Sequence, residues 1–109
     1  MVASKPLELI TASQAAQVEE SLTLLSAMAD PVRWTVLHHL AVRGETCVCD
    51  LQERVPVAPN LLSYHLKVLR EAGLVTTARR GRWVDYSLAQ GAAERLLRAL
   101  PVTPERGQP

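Results

Sequence analysis

The sequence predicts a mainly α-helical domain with one small β-hairpin, and three observations support this fold class. Apolar residues recur at helical spacing in five segments of the 109-residue chain. Two runs with the character of strands, LVTTAR and RWVDYSL, flank Arg80-Gly81, where glycine can supply the positive φ of a two-residue turn. A short helix and a more regular one stand directly before this hairpin. Four helices, a hairpin and a last helix in this order form a winged helix-turn-helix domain, whose hairpin is called the wing.

Capping residues and helix breakers set the ends of the helices. Asp30 can cap a helix and Pro31 fits its first turn, while Gly44 and Gly73 suit left-handed stops. Pro56 disfavours helical geometry at the residue before it. The predicted helices run over about residues 13–29, 31–43, 48–55, 59–72 and 90–100. In the second strand Val84, Tyr86 and Leu88 alternate toward the core. We expect a flexible N-terminal arm (residues 1–12), the winged helix-turn-helix domain (13–100) and a flexible tail (101–109).

Composition predicts a cytoplasmic protein that pairs with a second copy of itself. No run approaches ~18 consecutive apolar residues, and the start of the chain lacks the basic-then-apolar layout of a signal peptide. The chain has no Phe and only 2 Trp, so Leu, Val and Ala must form the core. So small a core cannot also bury the four leucines on the first and last helices, Leu22, Leu25, Leu96 and Leu97. We therefore expect a homodimer formed through the first and last helices.

Positive charge is concentrated in one part of a chain whose net charge is only +1. Residues 1–61 carry 4 basic and 7 acidic side chains, a balance of −3, whereas residues 62–98 carry 7 basic and 3 acidic ones, a balance of +4. The basic part holds the most regular helix and the wing. This distribution is typical of a DNA-binding surface on a near-neutral protein.

Eight side chains are candidates for DNA contact. The exposed face of the fourth helix carries Asn60, Ser63, Tyr64, Lys67 and Arg70, and the wing carries Arg79, Arg80 and Arg82. Short polar groups near the start of a recognition helix can reach base edges, whereas Lys and Arg suit phosphates. A solvated helix face would have the same residues, but arginines crowded at a hairpin tip repel one another unless an anion is present. DNA phosphates provide that anion, so we expect double-stranded DNA as the partner.

The segment ETCVCDL holds the only two cysteines, Cys47 and Cys49, at the start of the third helix. Amides at a helix start stabilise thiolates, and two thiolates favour a soft, thiophilic ion. On an ideal helix, residues two apart point about 200° apart, so we expect chelation to require an irregular or unwound first turn. Packed thiols and a redox pair are the alternatives. A disulfide is disfavoured because a Cys-x-Cys ring in a helical start would be strained.

The three histidines are interpreted mainly as structural. His38 and His39 end the second helix, where the helix C-terminus favours imidazolium, and they are the backup ligands if a metal prefers nitrogen. His65 is expected to be semi-buried and hydrogen-bonded near the wing. An enzyme with a cysteine nucleophile and His65 as base is disfavoured, because the sequence supplies neither an oxyanion site nor an orienting third group.

Four segments in their order and spacing resemble the ArsR–SmtB family of bacterial metal- and metalloid-responsive repressors. They are LLSAMADPVRWTVLHHL, ETCVCDL, LLSYHLKVLREAGLV and RRGRWVDYSL. The resemblance implies a homodimer that binds operator DNA without metal and leaves it when metal binds. It also implies that Ser63 and Tyr64 occupy the family's major-groove positions, and it favours Cys47 and Cys49 as metal ligands.

The chain departs from the family pattern at several positions. Ala58 stands where Ser or Thr often caps the recognition helix, and Leu61 replaces an often polar residue. Gln52 stands where arsenic-sensing relatives often have a third cysteine. The last helix offers only Glu94 and no histidine, which argues against the zinc- and nickel-type site of other relatives.

The expected effector is a soft metal or metalloid ion of the arsenite, cadmium, lead or zinc class, with nickel as an open alternative. Its remaining ligand would come from Asp50, Glu45, the partner subunit or a small thiol. The alternative interpretation keeps the DNA-binding dimer but places it under the control of a protein partner, a redox change or a harder metal.

Overall fold

The computed structural model describes residues 11–102, so almost all of the predicted arm and tail lies outside the described residues. Five helices and three strands follow one another in this range: α1 (Ala12–Met28), α2 (Pro31–Arg43), β1 (Thr46–Cys47), α3 (Val48–Arg54), α4 (Pro59–Glu71), β2 (Val75–Arg80), β3 (Trp83–Leu88) and α5 (Ala92–Ala99). This order confirms the winged helix-turn-helix fold and adds β1, which the sequence did not predict. None of the helices within residues 11–102 has the length and apolar character needed to cross a membrane.

Local hydrogen bonds explain why two helices begin away from their predicted starts. α1 begins one residue early because Thr11 caps it: its hydroxyl accepts from the N–H of Gln14 at 3.1 Å, and the Gln14 side chain accepts from the N–H of Thr11 at 2.9 Å. α5 begins at Ala92, two residues late, because Gly91 is in the left-handed region at a φ of 80°. The glycine therefore ends the loop after β3, and the helix starts behind it.

Asp30 caps α2 as the sequence predicts. Its Oδ1 accepts from the backbone N–H groups of Val32 at 2.8 Å and Arg33 at 3.1 Å, and Pro31 lies in the first turn. The bond from the Arg33 N–H, helped by that from Val32, holds the pKa of Asp30 below its ordinary value of 3.8. The helix ends at Gly44, whose φ of 84° few other residues adopt.

The core consists of leucine, valine and alanine, as the lack of Phe required. α4 turns Leu62, Leu66 and Leu69 inward, and each is at most 2% exposed. Around them lie buried side chains from the other four helices, from β2 and from two residues that adjoin these elements, Val55 and Leu74: Leu24, Ala27, Val36, Leu37, Leu40, Leu51, Val55, Leu74, Val75, Ala92 and Ala99. The helix-turn-helix pair α3–α4 is therefore anchored in the main core of the domain.

The wing turn lies one residue later than predicted. β3 is the central strand of the sheet, between β1 and β2, and it is antiparallel to both. Because Arg80 pairs with Trp83, the turn residues are Gly81 and Arg82 rather than Arg80 and Gly81. Gly81 has a φ of 59°, so it supplies the left-handed conformation that the turn requires.

The predicted alternation along β3 is only partly correct. Tyr86 packs against the core, but Leu88 is exposed at the end of the strand and Val84 is half-buried. Asp85, on the other face, is only 6% exposed. Side chains of the residues paired with Asp85 on both neighbouring strands, Cys47 and Ala78, share its face and help to cover it, so a simple inside–outside alternation does not hold.

We expect Asp30→Ala to lower the free energy of unfolding by about 1 kcal/mol at pH 7, because two N–H groups lose their acceptor. Asp30→Asn keeps an acceptor and should retain most of the stability. The charged cap stabilises the fold above about pH 4, and its contribution is lost as the pH falls through the lowered pKa of Asp30. Asp30→Asn should therefore lose less stability in acid than the parent. Urea unfolding at fixed protein concentration from pH 7 to pH 3 measures these effects, and an Asp30→Ala protein as stable as the parent would contradict them.

Candidate DNA-binding surface and cysteine site

The outer side of α4 carries all five helix residues that the sequence singled out for DNA contact. Asn60, Ser63, Tyr64, Lys67 and Arg70 are all exposed. Lys67 Nζ lies 4.0 Å from Glu71 Oε2, but both side chains are more than 60% exposed, so this pair contributes little. The Ala58 N-cap makes no side-chain hydrogen bond, which agrees with the missing cap noted in the sequence.

The three wing arginines lie in three different environments. Arg80 donates from Nε and Nη2 to the two carboxylate oxygens of Asp85, at 2.6 and 3.0 Å. This hydrogen-bonded pair lowers the pKa of Asp85 and raises the pKa of Arg80. The Arg82 guanidinium lies over the Trp83 ring, 5.2 Å from its centroid, and Arg79 donates to a carbonyl of the turn at 3.5 Å. Part of the charge crowding that suggested an external anion is thus relieved by Asp85 within the chain.

Cys47 and Cys49 lie on opposite sides of the junction between β1 and α3. Cys47 is the last residue of β1 and the N-cap of α3, with extended φ and ψ of −66° and 143°, and Cys49 lies in the first helical turn. The Cys47 sulfur accepts from the N–H of Cys49 at 3.2 Å, and the Cα atoms are 5.2 Å apart. The two sulfurs are joined as a disulfide.

The expectation that a disulfide is disfavoured is therefore wrong. The extended backbone of Cys47, the N-cap, directs its side chain toward that of Cys49 while α3 stays intact. This geometry is the irregular helix start that the sequence analysis requires for both sulfurs to reach one ion. The sulfurs meet because one belongs to a strand and the other to a helix.

A cavity of about 420 Å³ lies beside the cysteine site, by which we mean Cys47 and Cys49. Residues of α2, β1, α3 and the loop between α2 and β1 line it: His39, Arg43, Glu45, Thr46, Cys47, Asp50 and Arg54. Asp50 Oδ2 accepts from Arg54 Nε at 3.2 Å. Within residues 11–102 no group of three or more His, Cys, Asp and Glu side chains is arranged to hold a metal ion. The cysteine pair therefore offers two sulfur ligands but no preassembled third ligand.

Gln52 has a structural role at the position where relatives often have a third cysteine. Its amide donates to the carbonyl of Val57 at 3.0 Å. Val57 lies in the turn that leads into α4. This hydrogen bond ties α3 to the segment just before α4.

The backup ligands His38 and His39 do not converge. His38 stacks on Trp34 with ring centroids 5.0 Å apart and lines a separate apolar cavity between α2 and α5. His39 instead lines the cavity beside Cys47. Adjacent residues on a helix point about 100° apart, which explains the separation. A nitrogen site made from this pair finds no support in the geometry.

His65 is buried, at 7% exposure. The prediction that it is hydrogen-bonded near the wing is wrong, because its partner, Arg33, lies at the N-terminus of α2. The His65 Nδ1 lies 2.9 Å from Arg33 Nη1, and Arg33 Nε donates to the carbonyl of Ala27 at 2.6 Å. Because a guanidinium only donates, Nδ1 is the acceptor in this hydrogen bond. Arg33 thus connects α1, α2 and α4. The local signal for this role is the place of Arg33 in the first turn of α2, two residues after Pro31.

Apolar side chains on α1 and α5 form an exposed surface, the α1–α5 patch. Leu22 and Leu97 are each 59% exposed, while Leu25 and Leu96 pack partly against the core. Val18 and Leu100 extend the patch. Two of the four leucines that the core was predicted not to bury, Leu22 and Leu97, are therefore exposed in a single chain.

Sequence comparisons place these features in one family. The family described as "Bacterial regulatory protein, arsR family" matches residues 30–77. The arsenical resistance operon repressor of Bacillus subtilis is 47% identical over 62 residues, which cover 57% of this chain and 59% of that protein. A transcriptional repressor SmtB homolog of Synechocystis is 41% identical over 91 residues, covering 84% of this chain and 66% of the homolog. The biofilm growth-associated repressor of Agrobacterium fabrum is 40% identical over 81 residues, covering 74% and 68%. The chain thus spans three fifths to two thirds of these relatives.

Solved structures agree with the sequence relatives. NolR from Sinorhizobium fredii superposes with a TM-score of 0.71 at 32% identity, covering 83% of this chain and 89% of that one. The homodimeric winged helix-turn-helix DNA-binding domain of a possible ArsR-family regulator from Mycobacterium bovis gives a TM-score of 0.70 at 25% identity, covering 80% and 81%. The resemblance seen in the sequence is confirmed: this chain belongs to the ArsR family of bacterial regulatory proteins, whose members are DNA-binding transcriptional regulators and not enzymes.

Proposed function

We propose that the protein is a homodimeric transcriptional repressor that leaves its operator when a thiophilic metal or metalloid ion binds Cys47 and Cys49. The observation that carries this proposal is the convergence of the two sulfurs at the start of α3, the helix directly before the recognition helix. The names of relatives, which include arsenical resistance and SmtB repressors, support the same effector class.

DNA binding is assigned to α4 and the wing. The exposed side of α4 has the short polar and amphipathic groups Asn60, Ser63 and Tyr64 within its first two turns, where a recognition helix reaches base edges. Lys67 and Arg70 follow on the same exposed side and suit phosphates. The wing adds arginines beyond the helix.

Substitutions should separate base reading from phosphate contact. We expect Ser63→Ala and Tyr64→Ala to lower the ratio of operator to random-DNA affinity. Arg79→Ala and Arg82→Ala should weaken binding to all sequences alike and flatten the salt dependence by about one unit per lost contact. Arg79→Lys and Arg82→Lys keep the charge and are the matched controls. Fluorescence anisotropy at several salt concentrations measures both quantities. The surface would be wrongly assigned if Ser63→Ala and Tyr64→Ala kept the parent's ratio of operator to random-DNA affinity and if Arg79→Ala and Arg82→Ala kept its salt dependence.

The α1–α5 patch is proposed as the dimer interface. An exposed apolar surface of this kind marks an interaction site, and the M. bovis relative is a homodimer. Two-fold symmetry then implies an operator that is an imperfect inverted repeat, with half-sites about 34 Å apart.

Light scattering should therefore give twice the mass of one chain at micromolar concentration. Leu22→Ser combined with Leu97→Ser should shift the mass toward the monomer and weaken operator binding, because each chain then holds only one half-site. Val42→Ser is the matched control: Val42 is 65% exposed on α2, outside the patch, so the dimer should persist. A monomeric parent protein, or a dimer that survives the double substitution, would contradict this interface.

The cysteine site is well placed to act on α4. An ion held by both sulfurs would bridge β1 and α3, and the Gln52–Val57 hydrogen bond connects α3 to the turn before α4. Two thiolates select soft ions, and the cavity beside Cys47 leaves room for a third ligand such as Asp50, Glu45 or a small thiol. The pair fits half of such a site, and it binds an ion only in the reduced form.

Titration of reduced protein with cadmium or arsenite should weaken operator binding by roughly 5- to 150-fold, the usual range of allosteric coupling. Cadmium should also produce thiolate-to-metal charge-transfer absorption. Cys47→Ser and Cys49→Ser should each abolish both effects, while their metal-free operator affinity stays close to that of the parent. If the serine variants respond to every ion as the parent does, the effector binds elsewhere.

A second candidate function, redox control, is favoured by the disulfide between the same sulfurs. In that case oxidation alone changes operator affinity, without any metal. Thiol counting should give two reactive thiols after reduction and none after oxidation, and DNA titrations of both forms decide the question. Equal operator affinity of the oxidised and reduced proteins would reject redox control and leave the metal proposal in place.

A further inference from the structure

We propose that Asp85 restrains the wing by withdrawing Arg80 from DNA phosphates, and that it links the wing to the strand that carries Cys47. The first part concerns DNA binding alone. The second part rests on the proposed response of the cysteine site to an ion.

The ion pair between Asp85 and Arg80 is well formed. Both oxygens of Asp85 accept from the Arg80 guanidinium, at 2.6 and 3.0 Å. The Asp85 side chain is 9% exposed and that of Arg80 is 62% exposed, so the carboxylate is largely removed from water while the cation stays at the surface. A buried carboxylate retains its charge only with such a partner, and a bidentate pair is stronger than a single contact. Arg80 is therefore held by Asp85 before any DNA arrives.

The strand register brings the cysteine site to this ion pair. In the antiparallel sheet Cys47 of β1 lies directly opposite Asp85 of β3, and Asp85 lies directly opposite Ala78 of β2. Side chains of directly paired residues stand on the same face, with Cβ atoms about 4.5–5.5 Å apart. Arg80 is two residues from Ala78 and thus shares that face. Cys47, Asp85 and Arg80 form a row across all three strands.

β1 depends on this contact because it is only two residues long. Its residues Thr46 and Cys47 pair with Tyr86 and Asp85 of β3. A ligand that moves Cys47 must therefore move Asp85 or break one of the two residue pairs that hold β1 in the sheet. Where the pairs hold, Asp85 moves with Cys47, and the position of Arg80, and with it the wing tip, changes together with the cysteine site.

The restraint can be tested on reduced, metal-free protein with random DNA. Asp85→Asn should free Arg80, strengthen binding roughly 3- to 10-fold at low salt and steepen the salt dependence by about one unit. Arg80→Gln alone should leave the salt dependence near that of the parent, because Arg80 does not contact phosphate there. The double variant Asp85→Asn with Arg80→Gln should bind DNA like Arg80→Gln alone. The gain in DNA affinity from Asp85→Asn is then non-additive, because it requires Arg80. Glu94→Gln, with the same change in net charge on α5, controls for general electrostatics. An Asp85→Asn protein with parent-like affinity and slope, or with a gain that persists in the double variant, would overturn the restraint.

The link is tested by adding cadmium to the same proteins bound to operator DNA. In Asp85→Asn the loss of operator affinity on cadmium binding should shrink to about 2-fold or less, while the charge-transfer absorption persists. Because coupling is reciprocal, operator DNA should also weaken cadmium binding to the Asp85→Asn protein by only about 2-fold or less. A cadmium effect as large as that of the parent would overturn the link, even if the restraint holds. A parent protein that ignores cadmium would overturn the proposed effector and the link together, whereas the random-DNA titration decides the restraint by itself.

Discussion

The burial of leucine side chains from α4 is the constraint on which the rest of the structure depends. Leu62, Leu66 and Leu69 are at most 2% exposed, and they pack in one cluster with Leu51 of α3 and Leu74 at the end of the loop before β2. Because these contacts fix the rotation of α4 about its axis, the polar side chains between the leucines must face outward. The proposed DNA-binding surface is thus a consequence of core packing and needs no separate stabilisation of its exposed residues.

The same packing explains why the weak start of α4 is tolerated. Ala58 provides no capping hydrogen bond, a loss of about 1 kcal/mol compared with Ser or Thr. Pro59 sets the first helical φ, and the Gln52–Val57 hydrogen bond anchors the preceding turn to α3. Tertiary contacts therefore take over what local capping does in other helices. They also make α4 depend on the position of α3, which is what a signal from the cysteine site requires.

Local features of the fold could be predicted from the sequence, and features that depend on distant pairing could not. Asp30, Gly44 and Pro56 set the helix ends through their own backbone preferences, so those ends were placed within about two residues. β1 has two residues and no periodicity of its own, and it exists only because Thr46 meets Tyr86, 40 residues later. The burial of Asp85 and the approach of the two sulfurs both follow from that pairing. An aspartate next to an arginine-rich turn, within an apolar strand, was the one local signal of the ion pair.

In the proposed function, metal binding and oxidation would compete for the same two sulfur atoms. A disulfide uses both sulfurs, so an oxidised site has no thiolate to offer an ion, and an ion bound to both thiolates protects them from oxidation. Since the extended backbone of Cys47 already brings the sulfurs together, neither state requires α3 to unwind. The proposed signal would then come from small shifts of β1 against β3 and of α3 against the turn before α4, rather than from melting of a helix. A coupling carried by a two-residue strand and a single side-chain hydrogen bond would amount to a few kcal/mol at most.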